Sequence, residues 1–210
     1  MAHNAWIIVK VGGSLFDLPD LRHRLRAMVR HFRAANVLLV PGGGATADAI
    51  RAFDITHQLG EEASHWLALQ ALSLNARMLQ ELLPEARIVR EIPKPDAPAG
   101  DVASALAIAT GSDEIRCRFF LLDALPFFRV DEQRPDHLPH RWDVTSDSLA
   151  VRVATLAEAH ELILLKSVAW EARDWTEAAR SGIVDRYFAR ALQQAPSALR
   201  VRLINLRAWK

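Results

Sequence analysis

Ala5 to Ser14, AWIIVKVGGS, and Asn36 to Gly44, NVLLVPGGG, are the two stretches on which the fold turns. In each, an unbroken aliphatic and β-branched run stops at a cluster of glycines. Apolar residues at successive positions, without polar alternation, mark a strand covered on both faces. A helical pattern follows each turn. Asp17 to Arg33 carries Leu18, Leu21, Leu25, Met28, Val29 and Phe32 at spacings of three and four with arginines between them, and Ala45 to Phe53 has the same character. Strand, glycine turn and helix, given twice, predict an α/β architecture with a mainly parallel sheet.

Working outward, Glu61 to Leu83 is a longer helix with Trp66, Leu69, Leu72, Leu79 and Leu82 near helical spacing, closed by Pro84. Ala86 to Arg90 reads as a strand, Ile92 to Gly100 as a proline-rich loop, and Asp101 as the cap of a short helix to about Ala109. Ile115 to Leu122 is a further strand. Asp123 to Trp142 is the longest irregular segment, the kind of loop that carries function. Thr145, Ser146, Asp147 and Ser148 then offer N-cap groups for a helix with Leu149, Val153 and Leu156 on its apolar face. Leu162 to Leu165 is a strand ending at Lys166. Helical patterns at Trp175 to Ala179 and Val184 to Gln193 precede a last strand, Leu199 to Leu206. No linker divides the chain, so one domain over residues 1–210 is expected.

Composition narrows the function classes. At 210 residues, 50% hydrophobic and 24% charged, the chain can bury a full core. A net charge of +1 gives no reason for a nucleic-acid partner. No run reaches the roughly 18 apolar residues of a membrane span and no signal peptide is evident, so a soluble, cytoplasmic protein is expected. The single cysteine, Cys117, excludes an internal disulfide and a cysteine-rich metal site, and reads as buried and inert. Among 26 basic residues only Lys10, Lys94, Lys166 and Lys210 are lysines. In a chain that uses arginine for ordinary surface charge, each lysine asks for a reason.

In parallel sheets ligands bind beyond the carboxyl ends of the strands. Those ends are Gly12-Gly13-Ser14, Pro41 to Gly44, and Lys166-Ser167. Glycine turns that open helices let backbone amides approach an anion, although glycines also simply make tight turns. Neither G-x-x-x-x-G-K-[ST] nor G-x-G-x-x-G occurs, which speaks against a P-loop or dinucleotide enzyme. Lys10, inside an apolar strand two residues before the glycines, is costly unless its charge is paired, and is placed to stabilise a transferring phosphoryl group.

Lys10-Val11-Gly12-Gly13-Ser14, the Gly42-Gly43-Gly44 turn and Thr145-Ser146-Asp147-Ser148-Leu149-Ala150, in that order, resemble the amino acid kinase family, which includes acetylglutamate, aspartate and uridylate kinases. The resemblance implies a three-layer αβα sandwich with a sheet of about eight strands, and γ-phosphoryl transfer from ATP with Mg2+ to a small acceptor, in a homodimer. It implies that Lys10 stabilises the phosphoryl in flight and that Gly12, Gly13, Ser14 and Ser167 hold nucleotide phosphates. Gly42, Gly43 and Gly44 would meet the acceptor, with Trp142, Thr145 and Ser146 beside it, and Asp147 would orient lysines; its plainer reading is a helix cap. Where the family commonly has Thr-Asp-x-Asp-Gly, this chain has Lys166-Ser167-Val168-Ala169-Trp170. Either Lys166 is a second phosphoryl-stabilising lysine, or the nucleotide half has degenerated and the chain is a non-catalytic anion-binding protein.

Within the family, the short length, Ala63-Ser64-His65-Trp66 and Trp142 to Ser148 look most like the kinases that act on an aminomethylfuran methyl phosphate in methanofuran biosynthesis. That likeness gives His65, Trp66 or Trp142 a place around an aromatic acceptor; core packing is the alternative for Trp66. His137 and His140, with Asp131, Asp136 and Asp143 nearby, have the composition of a metal cluster, but Pro139 prevents a helix from aligning the rings, and no metal site is expected.

Overall fold

Trp6–Val11 forms β1, the strand around which the rest is arranged, in a computed structural model that describes residues 6–29, 31–32, 36–93, 105–108, 115–171 and 174–209, with backbone only at 29, 105–108 and 115–117. β2 (Asn36–Pro41) and β6 (Glu161–Lys166) flank it in parallel. Beyond β2 lie β5 (Ile115–Leu122) and β3 (Arg87–Val89), and beyond β6 lies β7 (Arg200–Asn205), so the order is β3-β5-β2-β1-β6-β7. All six of these strands are parallel to their neighbours. A seventh, β4 (Ala105–Ile108), pairs antiparallel with the first half of β5. Among the described residues the expectation of about eight strands is therefore corrected to six parallel strands with one antiparallel addition.

Two other expectations change. The helix predicted up to Ala109 is a strand over Ala105–Ile108, because ladder bonds to Ile115–Arg118 outweigh the helix propensity of an Ala-Leu-Ala run. Its cap at Asp101, most of the loop predicted over 92–100, and the side chain of Cys117 lie outside what is described. The irregular segment after Asp123 holds α4 (Ala124–Asp131); Pro126 stands in its first turn, where a missing N–H costs nothing.

α1 (Leu21–Val29), α2 (Gly44–His57), α3 (Glu61–Leu82), α5 (Ser146–Leu156), α6 (Trp175–Arg180) and α7 (Phe188–Gln194) cover the sheet. Strand parity divides the core into two layers. Trp6 and Ile8 of β1, with Leu162 and Leu164 of β6, pack under α5 and α7 together with Leu69 and Leu72 of α3. Ile7, Val9 and Val11, with Ile163 and Leu165, pack under α1. Even-numbered positions of β1 and β6 therefore face α5, which fixes where Lys10 and Lys166 must point. No helix among the described residues is long and apolar enough to cross a membrane.

Candidate functional site

Lys10 and Lys166 reach the same carboxylate. Lys10 Nζ lies 2.8 Å from Asp147 Oδ1, and Lys166 Nζ donates to Asp147 Oδ2 at 2.7 Å. The Lys10 contact is an ion pair without regular hydrogen-bond angles. Lys10 pairs with Leu164 in the β1–β6 register, so Lys166 stands two residues further along the neighbouring strand and on the same face. Asp147 hangs from the first turn of α5 directly above. All three side chains are nearly closed to solvent, at 5%, 12% and 6% exposure for Lys10, Lys166 and Asp147.

Such burial has electrostatic consequences. For Asp147, desolvation pushes the carboxyl pKa upward, but the two ammonium groups outweigh it and hold the group ionised. Lys166 is lowered to about 8 by burial and by the charge of Lys10, against the pull of Asp147. Two cations on one anion give the trio a net charge of +1, held in low dielectric where it acts strongly on a bound anion.

The glycine turns meet beside this trio. Gly42 N donates to Val11 O at 2.8 Å, and Gly12 N to Leu165 O at 2.9 Å, so both turns continue the strand register into the site. A Cβ on Gly13 would stand 2.1 Å from Gly44 N, and Gly44 itself has φ +54°. Only backbone without side chains allows this approach. Asn75 of α3, buried, donates through Nδ2 to Gly42 O at 2.8 Å and Gly43 O at 2.7 Å, fixing the second turn from beneath. Ser14 Oγ and Ser167 Oγ are 3.0 Å apart, joining the first turn to the end of β6. Arg207 holds the same turn by donating to Ser14 O at 2.8 Å.

Asp147 does not cap its helix. Asp185, from the segment before α7, accepts from Thr145 N at 3.0 Å, Thr145 Oγ1 at 2.9 Å and Ser148 N at 2.9 Å, and also from Ser148 Oγ. Burial and the neighbouring Asp147 raise the Asp185 pKa, while the hydrogen bonds oppose them. The cap thus comes from across the molecule and leaves Asp147 free for the lysines. Thr145, expected beside the acceptor, donates its hydroxyl proton to Asp185 and also lines the cleft beside the second glycine turn.

A cleft partly open to solvent adjoins the second glycine turn. Gly43, Ala47, Leu69 and Leu72 form its apolar side, and Trp142, Ser146, Arg51, Arg141, Glu61 and His65 its polar side. Trp142 is held by Nε1 donating to Asp54 Oδ2 at 2.6 Å, and the Arg51 guanidinium lies 4.7 Å from the centre of its ring. Asp54 also accepts from Gly60 N at 2.9 Å, so one carboxylate fixes both the indole and the α2–α3 turn. Of the aromatic candidates, His65 and Trp142 line the cavity. Trp66 instead packs against the core, with Nε1 donating to Glu62 at 2.7 Å.

His137 and His140 do not stand alone. The His140 ring stacks on His65 at 4.0 Å between centroids and bonds Glu62 Oε2 at 2.7 Å, and potential ligand atoms of Glu62, Glu132 and His140 lie within 4.8 Å of one another. His137 is not in that group; its ring is 5.7 Å from His140. Asp131 and Asp136, grouped with these histidines in the sequence, are engaged by Arg152, at 2.8 Å each. Asn75, Asp185 and Asp54 escaped the sequence reading. Only Asn75 left a signal, as a polar residue at a core position between Leu72 and Leu79.

Comparison with known proteins agrees with this fold. The model of the amino acid kinase family matches residues 5–169. A curated relative, the [5-(aminomethyl)furan-3-yl]methyl phosphate kinase of Methanocaldococcus jannaschii, is 26% identical over 163 residues, or 77% of this chain, and the chain spans 65% of that protein's length. Among solved structures, UMP kinase from Ureaplasma parvum superposes with a TM-score of 0.59 at 14% identity, covering 97% of this chain and 91% of that one. Uridylate kinase from Archaeoglobus fulgidus gives 0.55 at 15% identity, with 95% and 90% covered. Aspartate kinase from Synechocystis gives 0.58 at 13%, with 95% and 38% covered. At these identities the structures speak for the fold.

Proposed function

The chain belongs to the amino acid kinase family, and from that premise we propose that it is a small-molecule kinase that transfers the γ-phosphoryl group of ATP, with Mg2+, to a small phosphate monoester. The observation that carries the reading is the buried pair of lysines sharing Asp147 beside two glycine turns. The donor fits at its phosphate end: two ammonium groups and the backbone of Gly12, Gly13 and Ser14 face the place where phosphates would lie, with Ser167 alongside. Magnesium, entering with the nucleotide, would supply charge neutralisation there; Asp147 and Asp185, the carboxylates beside the lysines, are already engaged within the protein.

Transfer then rests on position and charge. An oxygen of the acceptor attacks the γ-phosphorus in line, the bond to the β–γ bridging oxygen breaks, and ADP leaves with that electron pair. Lys10 and Lys166 neutralise charge on the moving group, and Asp147 orients both ammonium groups. A carboxylate clamped between two lysines is a poor base, which favours an acceptor already ionised at neutral pH over an alcohol. A phosphate monoester meets that condition, as does the aminomethylfuran phosphate that the curated relative's name gives as its substrate. The convergence of Lys166 with Lys10 weighs against a degenerate, purely anion-binding protein.

The reading includes a cytoplasmic protein and, as the family resemblance implies, a homodimer, with Phe53 and Ile55 exposed on α2. The test is to incubate the protein with ATP-Mg2+ and [5-(aminomethyl)furan-3-yl]methyl phosphate and to follow ADP release and the diphosphate ester by phosphorus NMR. Formation of the diphosphate supports the kinase reading. ATP binding without transfer to this or any other small phosphate monoester would replace it with the anion-binding one.

A further inference from the structure

The polar side of the acceptor cavity is not electrically balanced in the way its two arginines suggest. Arg141 is committed to Asp143, through Nε to Oδ1 at 2.9 Å and through Nη2 to Oδ2. Arg51 donates to Asp48 Oδ1 at 3.2 Å and lies over Trp142. Each guanidinium thus has its own carboxylate. Glu61 has no close ion pair among the described residues: its one hydrogen bond is a long one, accepted from Trp142 N at 3.4 Å, and Arg141, already held by Asp143, acts on it only at longer range.

His65 stands one helical turn beyond Glu61 on the same face of α3, and both line the cavity. The imidazole is held neutral. Burial and the neighbouring rings of His140 and His137 bring its pKa to about 4, against the pull of Glu62. Neither ring nitrogen has a hydrogen-bond partner among the described residues, so a neutral acceptor nitrogen is available. A carboxylate and a neutral imidazole, side by side, accept hydrogen bonds from a cation and offer little to an anion.

These groups sit at the end of the cavity away from the chemistry. The reacting end is marked by Gly43 and Ser146, next to Asp147, whereas Glu61 opens α3 beyond the α2–α3 turn. On α2 the cavity is lined from Gly43 to Arg51, and at 1.5 Å per residue this sets its two ends about 12 Å apart. An acceptor with its phosphate at the glycine turn therefore presents its opposite end toward α3.

We propose that Glu61 and His65 are specificity-determining residues that read a protonated primary amine at the far end of the acceptor, with Trp142 as the wall against its flat middle. The inference rests on the kinase reading above and names the substrate class for that site: a small phosphate monoester bearing an ammonium group opposite its phosphate. Glu61 supplies the countercharge and His65 a neutral acceptor.

The test compares two probes by calorimetric titration in the presence of a non-hydrolysable ATP analogue and Mg2+: [5-(aminomethyl)furan-3-yl]methyl phosphate, and the same phosphate with methyl in place of aminomethyl. Each is titrated into the wild type, Glu61→Gln and His65→Phe, with transfer rates measured in parallel. The wild type is expected to bind the amine at least about tenfold tighter, the gain of one charge-assisted pair. Glu61→Gln should bring the two probes within about threefold of each other, raising KM for the amine with kcat nearly unchanged, because uniform binding is lost and not transition-state stabilisation. His65→Phe should lose part of the preference. Equal affinity of the wild type for both probes overturns the inference, as does an amine preference that survives Glu61→Gln in a folded protein. Since binding is read directly, absence of transfer with an intact amine preference would count against the kinase reading and for this one.

Discussion

The glycine turns and the segment from Asp123 to Ser146 face each other across the candidate site, and they are built by opposite means. The turns are held chiefly by backbone: Gly13 and Gly44 approach so closely that no side chain fits, the Gly12 and Gly42 amides continue the strand register, and the Asn75 and Arg207 side chains only brace what the backbone has set. The segment is held by side chains from elsewhere. Arg152 of α5 grips Asp131 and Asp136, Glu62 of α3 bonds His140, Asp54 of α2 holds Trp142, and Asp185 caps the helix that follows. The reacting centre thus sits on parts that short-range sterics make rigid, and the cavity beside it on parts that long-range contacts assemble.

The largest expected effect lies on the second side. Arg152→Ala removes the closer partner of the buried Asp131 and leaves it only the more exposed Arg134 at 3.5 Å; breaking such a buried pair costs up to about 3–5 kcal/mol. Equilibrium denaturation should show that loss; a change under about 1 kcal/mol would mean the segment is not held this way. Next comes the first side. Gly13→Ala drives a methyl into the Gly44 backbone, and overpacking of this kind costs about 1–3 kcal/mol. A variant as stable as the wild type by the same measurement would show that the turns give way, and the contrast would fail.

A smaller effect sharpens the electrostatics. Lys166 is useful only while protonated, and burial and Lys10 have lowered its pKa to about 8. In the free enzyme kcat/KM is then level below that pH and falls as pH rises through it, approaching tenfold per unit, whereas an unperturbed lysine would hold the profile level to about 10. A flat profile to pH 10 would remove Lys166 from the chemistry.

The same contrast explains what the sequence disclosed. Six strands, both glycine turns and Lys10 were legible because each is written in contiguous residues: an apolar run, a glycine cluster, a charge where none belongs. β4 was not, since Ala105–Ile108 has helix-forming residues and becomes a strand only by pairing with β5. Asp185 and Asp54 were silent for a related reason. An aspartate in a polar loop carries no mark of the distant amide or indole it will hold. Lys166 was ambiguous until register and parity placed it on the face of β6 that meets Asp147.

The measurement that bears most directly on the account is phosphoryl transfer from ATP-Mg2+ to a small phosphate monoester by the wild type, Lys10→Ala and Lys166→Ala, each checked for folding. The account predicts that each substitution lowers kcat/KM by more than about tenfold, toward the ~10²-fold cost of removing one group that stabilises transition-state charge. It predicts as well that the double variant loses less than the product of the two, because the lysines act as a unit on one carboxylate. A folded Lys10→Ala protein that transfers at the wild-type rate would contradict it.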